Sequence, residues 1–117
     1  MLDLLKKKVL EANLDLVRHK LVVSTWGNAS ERDPDTGYVV IKPSGVPYAD
    51  MKPEHMVVLD ADGRQIDGDL KPSSDAPTHV LLYQHFKDIG GVVHTHSEWA
   101  TSWAQAGRSL PAYGTTH

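Results

Sequence analysis

Two turn signals, each set between β-branched runs, constrain this chain most. Asp33-Pro34-Asp35-Thr36-Gly37 separates residues 29–32 from Tyr38-Val39-Val40-Ile41-Lys42, and Asp60-Ala61-Asp62-Gly63 separates Met56-Val57-Val58-Leu59 from Arg64-Gln65-Ile66. Asp, Pro and Gly at such positions turn the chain back on itself. Both pairs therefore read as antiparallel hairpins. Residues 21–25 and 90–95 read as further strands. Helical patterns surround them. Over residues 2–19, Leu2, Leu5, Val9, Ala12 and Leu16 recur at helical spacing, and Leu10, Leu14 and Val17 widen the stripe. A helix is expected over about 76–86, and Ser97 caps a last one running to Gly107, with Ala100, Trp103 and Ala104 facing inward. Hairpins flanked by helices predict an α+β fold, a largely antiparallel central sheet layered with helices.

Composition narrows the chemistry. With 117 residues, 40% of them hydrophobic, the chain can bury one modest core. It contains no cysteine, so disulfides and thiolate ligands are excluded and any metal must be held by His and carboxylate. Net charge is −3 and the one basic run, Lys6-Lys7-Lys8, falls inside a helical pattern, which does not suggest nucleic-acid binding. No apolar run approaches the length of a membrane span, and the first residues lack a leader's apolar segment. The expectation is a cytoplasmic protein with neither nucleic-acid nor membrane partner.

Chemistry-bearing residues gather in four segments. In Val92-Val93-His94-Thr95-His96, period-2 geometry aims His94 and His96 at one point, the minimum arrangement for chelating a divalent ion. Lys71-Pro72-Ser73-Ser74-Asp75-Ala76-Pro77 precedes the second helix. There Ser74 or Asp75 serves either as an N-cap alone or, with Ser73, as an anion cradle from which Asp75 reaches the metal. Lys42-Pro43-Ser44-Gly45 ends a strand and reads either as an ordinary turn or as an oxyanion loop, with Lys42 supplying a point charge. Thr25-Trp26-Gly27-Asn28 is a strand-to-turn junction. The remaining histidines carry less. His79 is expected at a surface or half-buried helix position; His19, His55 and His85 read as surface. Trp26, Trp99 and Trp103 read as core or subunit-contact residues.

Taken together and in this order, Gly27-Asn28, Lys42-Pro43-Ser44-Gly45, Ser73-Ser74-Asp75 and His94-Thr95-His96 resemble the class II aldolase/epimerase family, over essentially the whole chain. The resemblance implies an α/β/α fold of which residues 1–117 form the N-terminal portion of a single domain. Family members run to about twice this length, and the ending Gly114-Thr115-Thr116-His117 looks cut within an element. It implies one Zn2+ per subunit, with Asp75, His94 and His96 at the metal. Gly27, Asn28, Lys42, Ser44, Gly45, Ser73 and Ser74 fall on the substrate and phosphate segments. A third zinc histidine, a catalytic Asp and a catalytic Tyr are expected beyond residue 117. The implied substrate is a phosphorylated ketopentose. The implied reaction interconverts L-ribulose 5-phosphate and D-xylulose 5-phosphate by retro-aldol cleavage and re-formation of a C–C bond, in a homotetramer. Asp rather than Glu at position 75 favours this epimerase branch. The alternatives are a class II sugar-phosphate aldolase and an inactive truncated or scaffold form of the fold.

Overall fold

The computed structural model describes residues 2–114. In chain order it contains α1 (Asp3–Arg18), β1 (Asn28–Arg32), β2 (Val39–Ile41), β3 (Val57–Leu59), β4 (Gln65–Asp67), α2 (Ala76–His85), β5 (Gly91–His94) and α3 (Glu98–Gln105), with short 3-10 turns at Tyr48–Asp50 and Pro53–His55. The five strands form one sheet in the order β4-β3-β2-β1-β5. Every neighbouring pair is antiparallel. The two hairpins lie where the turn signals place them. The expected antiparallel sheet layered with helices is the observed architecture.

Alternation along the short strands sorts the core into two faces. Val40 and Val58 join Val9 and Leu10 of α1, with Tyr48, Met51 and Met56. Val39, Ile41, Val57 and Leu59 point to the other face and meet Ala76, Val80 and Tyr83 of α2. Both faces of β2 and β3 are therefore covered, and their residues are buried throughout.

The buried stripe of α1 departs from the apolar pattern. It comprises Lys6, Val9, Leu10, Asn13 and Leu16, while Ala12 and Val17 face solvent. Asn13 takes the place expected for Ala12 because its amide completes the sheet. Its Nδ2 donates to the carbonyls of Val9 and Ala29 (2.7 and 2.9 Å), and its Oδ1 accepts from the Ala29 N–H (2.9 Å). One side chain thus satisfies backbone groups of β1 that α1 would otherwise bury unpaired.

Two expectations are corrected. Residues 21–25 form no strand; Lys20 and Ser24 adopt positive φ (57° and 53°), which breaks the extended run, and a Trp26 N–H to Val23 carbonyl bond closes a turn. Helix α3 does start at a Ser97 cap, whose hydroxyl accepts from the Ala100 N–H, but none of its residues is buried among the described residues. Trp99 is 79% exposed and Trp26 57%, so neither is core here. No helix among the described residues is long and apolar enough to cross a membrane.

Replacing Asn13 by Leu keeps the branched shape and removes three hydrogen bonds, leaving the Ala29 N–H and carbonyl buried without these partners. The expected loss is about 2–4 kcal/mol of unfolding free energy, read as a lower urea midpoint with unchanged slope.

Candidate functional site

Strand register brings the first pair together. In the β1–β5 ladder Asn28 lies opposite His94. The loop before α2 then folds across both. Asp75 occupies the N-cap position of α2, yet its side chain makes no cap bond. Its Oδ2 accepts from Asn28 Nδ2 (2.6 Å) and from His94 Nδ1 (2.9 Å). Ser73 serves the helix start instead: its Oγ accepts from the Asp75 N–H (3.3 Å) and Asn28 Nδ2 (3.2 Å), and its carbonyl accepts from the Ala76 N–H (3.0 Å). The simple N-cap reading of Asp75 therefore fails, and its carboxylate is spent on the site.

The other loops arrive by an isolated bridge between Pro43 and Pro72. The Ser44 N–H donates to the Lys71 carbonyl (2.9 Å) and the Ser73 N–H to the Lys42 carbonyl (3.0 Å), so the 42–45 and 73–75 segments run side by side. Gly27, Asn28, Lys42, Ser44, Gly45, Ser73, Ser74, Asp75, His94 and His96 all line one cleft of about 380 Å³, together with Thr25 and Trp26. The His94 and His96 rings lie 4.8 Å apart between centroids, and Trp26 stacks on His96 at 5.4 Å. Trp26 is thus a wall of the cleft, a place that composition alone did not reveal.

Electrostatics divide the cleft. Lys42 is buried, and among the described residues its Nζ donates only to the Thr25 carbonyl (2.9 Å), 5.0 Å above the Tyr48 ring. Burial pushes its ammonium below the usual lysine range, and the charge of Asp75 partly offsets this. Two N–H donors of Lys42 are left for an anion. Burial pushes Asp75 up, but the bonds from Asn28 and His94 outweigh it and hold the carboxyl below the usual range. With Nδ1 of His94 bonded to a carboxylate, its Nε2 is the nitrogen left for an ion, the arrangement common around zinc-bound imidazoles. Two imidazoles fit part of a zinc shell, while Asp75, bonded to the opposite ring nitrogen of His94, stands behind that ligand. Among the described residues no group of three or more His or carboxylate side chains is placed to hold a metal ion.

His79 corrects an expectation. It is 1% exposed, not a surface residue. Its Nδ1 bonds Ser30 Oγ (2.7 Å), which bonds Tyr83 OH (2.8 Å). Burial, outweighing the charge of Asp75, pushes its pKa down to about 4. The signal was present in the spacing: Ser30 is two residues from Asn28 on one strand face, and His79 four from Asp75 on one helix face.

Two predictions follow from this geometry. Gly27 has φ +73°, and a Cβ there would sit 2.2 Å from Val22 Cγ1 and 3.0 Å from the His94 carbonyl. Gly27→Ala should cost about 2–4 kcal/mol from backbone strain and overpacking together, seen in denaturant unfolding. For His79, the unfolded imidazole binds a proton near pH 6.5 and the folded one near 4. Stability is therefore full above about 6.5 and falls as pH drops toward 4. Between pH 7 and 5 the loss should be about 2 kcal/mol, and His79→Gln should flatten that part of the profile.

Comparison with known proteins places this geometry. Residues 7–117 match the family described as Class II Aldolase and Adducin N-terminal domain. The chain is 58% identical over 113 residues to L-ribulose-5-phosphate 4-epimerase UlaF of Salmonella paratyphi C (strain RKS4594), covering 97% of this chain and 50% of that protein. UlaF of Salmonella typhi matches at the same identity and coverage. The chain therefore spans about half the length of the relatives it matches. Among solved structures, an L-fuculose 1-phosphate aldolase superposes with TM-score 0.86 at 32% identity, over 92% of this chain and 51% of that one. YgbL of Escherichia coli, described as a putative aldolase/epimerase/decarboxylase, gives 0.77 at 27% identity, over 87% and 48%. The family match spans nearly the whole chain and the fold agrees with it: the chain belongs to the class II aldolase and adducin N-terminal domain family.

Proposed function

We propose that residues 1–117 form the N-terminal portion of a single class II aldolase-like domain carrying part of a zinc-dependent L-ribulose-5-phosphate 4-epimerase site. The observation that carries this reading is the junction of His94, Asp75 and Asn28, with His96 beside it and buried Lys42 across the same cleft. The 58% identity to proteins named for that epimerase supports the choice of reaction.

In this reading His94 and His96 hold one zinc ion per subunit. Asp75 fixes the His94 ring through Nδ1, which leaves Nε2 turned to the ion. Zinc so held supplies Lewis acidity toward a carbonyl and its neighbouring hydroxyl. Lys42, with Ser44, Gly45, Ser73 and Ser74, binds the phosphate through a point charge, hydroxyls and backbone N–H groups. Anchoring the phosphate keeps the aldehyde fragment in the cleft while the C3–C4 bond breaks and re-forms on the other face. Gly27 lets the backbone pass close to the His94 carbonyl, and Asn28 keeps Asp75 ionised and oriented. The resemblance places the groups that move protons, and a third histidine for the metal, outside residues 1–117. The resemblance implies assembly into a cytoplasmic homo-oligomer, a tetramer.

The test is conversion of L-ribulose 5-phosphate to D-xylulose 5-phosphate, with and without chelator, by this chain and by the same chain extended to the length of its relatives. The extended protein should turn over, lose activity on chelation and recover it with zinc, while residues 1–117 alone stay close to inactive. Robust zinc-dependent turnover by the 117-residue chain would show that the catalytic groups are misassigned. Cleavage to aldol fragments without epimer, from the extended protein, would move the reading to the aldolase branch.

A further inference from the structure

Two buried polar atoms beside the site lack a protein partner among the described residues: Asn28 Oδ1 and His79 Nε2. Both residues are 1% exposed. Asn28 and Ser30 project from the same face of β1, two residues apart, onto the segment that starts α2. Asn28 grips Ser73 and Asp75 there, and Ser30 grips His79 one helical turn further on. Asp75, His79 and His94 also line a shared depression with Thr78 and Thr95. Buried polar groups without partners are uncommon enough that a matched pair on one interface needs an explanation.

Donor accounting supplies it. The Tyr83 hydroxyl is buried, and Ser30 Oγ is its side-chain hydrogen-bond partner. With the Tyr83 proton given to Ser30 Oγ, the Ser30 proton goes to His79 Nδ1, which then accepts. A neutral imidazole accepting at Nδ1 carries its hydrogen on Nε2. Asn28 is oriented independently, because Nδ2 is the atom that can donate to a carboxylate, so Oδ1 is the unsatisfied acceptor. A donor and an acceptor thus face the same interface, and no direct bond joins them.

We propose that His79 is a positioning residue for the Asp75–His94 pair, its tautomer set at Nδ1 by the Ser30 and Tyr83 hydroxyls and its Nε2–H joined through one bound water to Asn28 Oδ1. Water accepts from Nε2–H and donates to Oδ1, so every link has the right polarity. The result is one directional column: Tyr83 to Ser30 to His79, across the water to Asn28, and from Asn28 Nδ2 to Asp75, which receives His94 Nδ1–H from the other side. His79 touches neither substrate nor metal. It acts by keeping Asn28 from rotating, which keeps Asp75 on His94 and leaves His94 Nε2 facing the cleft. The column is independent of any metal; its effect on metal affinity rests on the zinc reading above.

The primary test is long-range proton–nitrogen NMR on the metal-free chain, labelled with nitrogen-15 at histidine. His79 should be a single neutral tautomer protonated at Nε2, with that proton exchanging slowly. His94 should be protonated at Nδ1. Ser30→Ala should release Nδ1 and mix the His79 tautomers. A His79 ring protonated at Nδ1, or a rapidly exchanging Nε2 proton, overturns the proposal. The second readout is cobalt(II) affinity of the extended protein by chelator competition. His79→Phe should lower it about tenfold, in the low range seen for residues that support metal ligands. His79→Gln, which restores a donor near the Nε2 position, should recover most of it. An unchanged affinity in a folded His79→Phe protein overturns the positioning role. If the unaltered protein binds no cobalt while the tautomers are as stated, the zinc reading fails and the column stands.

Discussion

The carboxylate of Asp75 is the constraint on which the site depends. At the N-terminus of α2 it could have accepted backbone N–H groups of the first turn, the usual use of Asp there. Instead it leaves the helix axis and accepts from Asn28 and His94. A single oxygen so joins β1, β5 and the start of α2, three segments far apart in sequence. The helix is not left uncapped, because Ser73 supplies both a hydroxyl and a carbonyl to its first amides. The Ser-Ser-Asp sequence therefore divides the labour: Ser73 maintains the helix start, and Asp75 is free to bond Asn28 and His94.

Topology makes this possible. The chain lays down β1 to β4 by successive antiparallel steps, then α2 carries it back across the sheet so that β5 pairs with β1. The β1–β5 register sets Asn28 opposite His94. The same crossover drags the 71–75 loop past the end of β2, where Pro43 and Pro72 bridge and the 42–45 and 71–75 loops exchange backbone bonds. Arg32 secures the far end by donating to the carbonyls of Tyr83, Lys87 and Ile89, which close the end of α2. Both ends of the α2 crossover are thus tied to β1.

Much of this was legible in the residues, and the gaps have physical causes. Hairpin turns are local, so Asp33–Gly37 and Asp60–Gly63 could be read directly. The four site segments were visible because Gly, Ser, His and Lys at strand ends are poor choices for packing alone. Asn13 and His79 were missed. Each is polar on a buried face, and its value lies in a partner far along the chain, Ala29 in one case and Ser30 in the other. Residues 21–25 were misread because β-branched composition does not register two left-handed residues, Lys20 and Ser24, which break the extended path. The inward face expected on α3 depended on a packing partner that the described residues do not include.

The cleft is polarised along its length, and this bears on how a substrate would lie in it. At one end Lys42 is buried with two donors uncommitted, beside the amides and hydroxyls of the 44–45 and 73–74 loops. At the other, His94 and His96 stand beside a carboxylate that hydrogen bonds from Asn28 and His94 keep ionised. Asp75 is the shared element, since its charge also helps to hold Lys42 protonated. An anionic group seated at Lys42 would leave the opposite end of a short chain near the imidazoles, and reversal would set like charges together at Asp75. In the proposed reading this fixes the direction of a sugar phosphate before any bond is made or broken. It also explains why an acidic residue belongs at position 75 even though a neutral cap would serve α2 equally well.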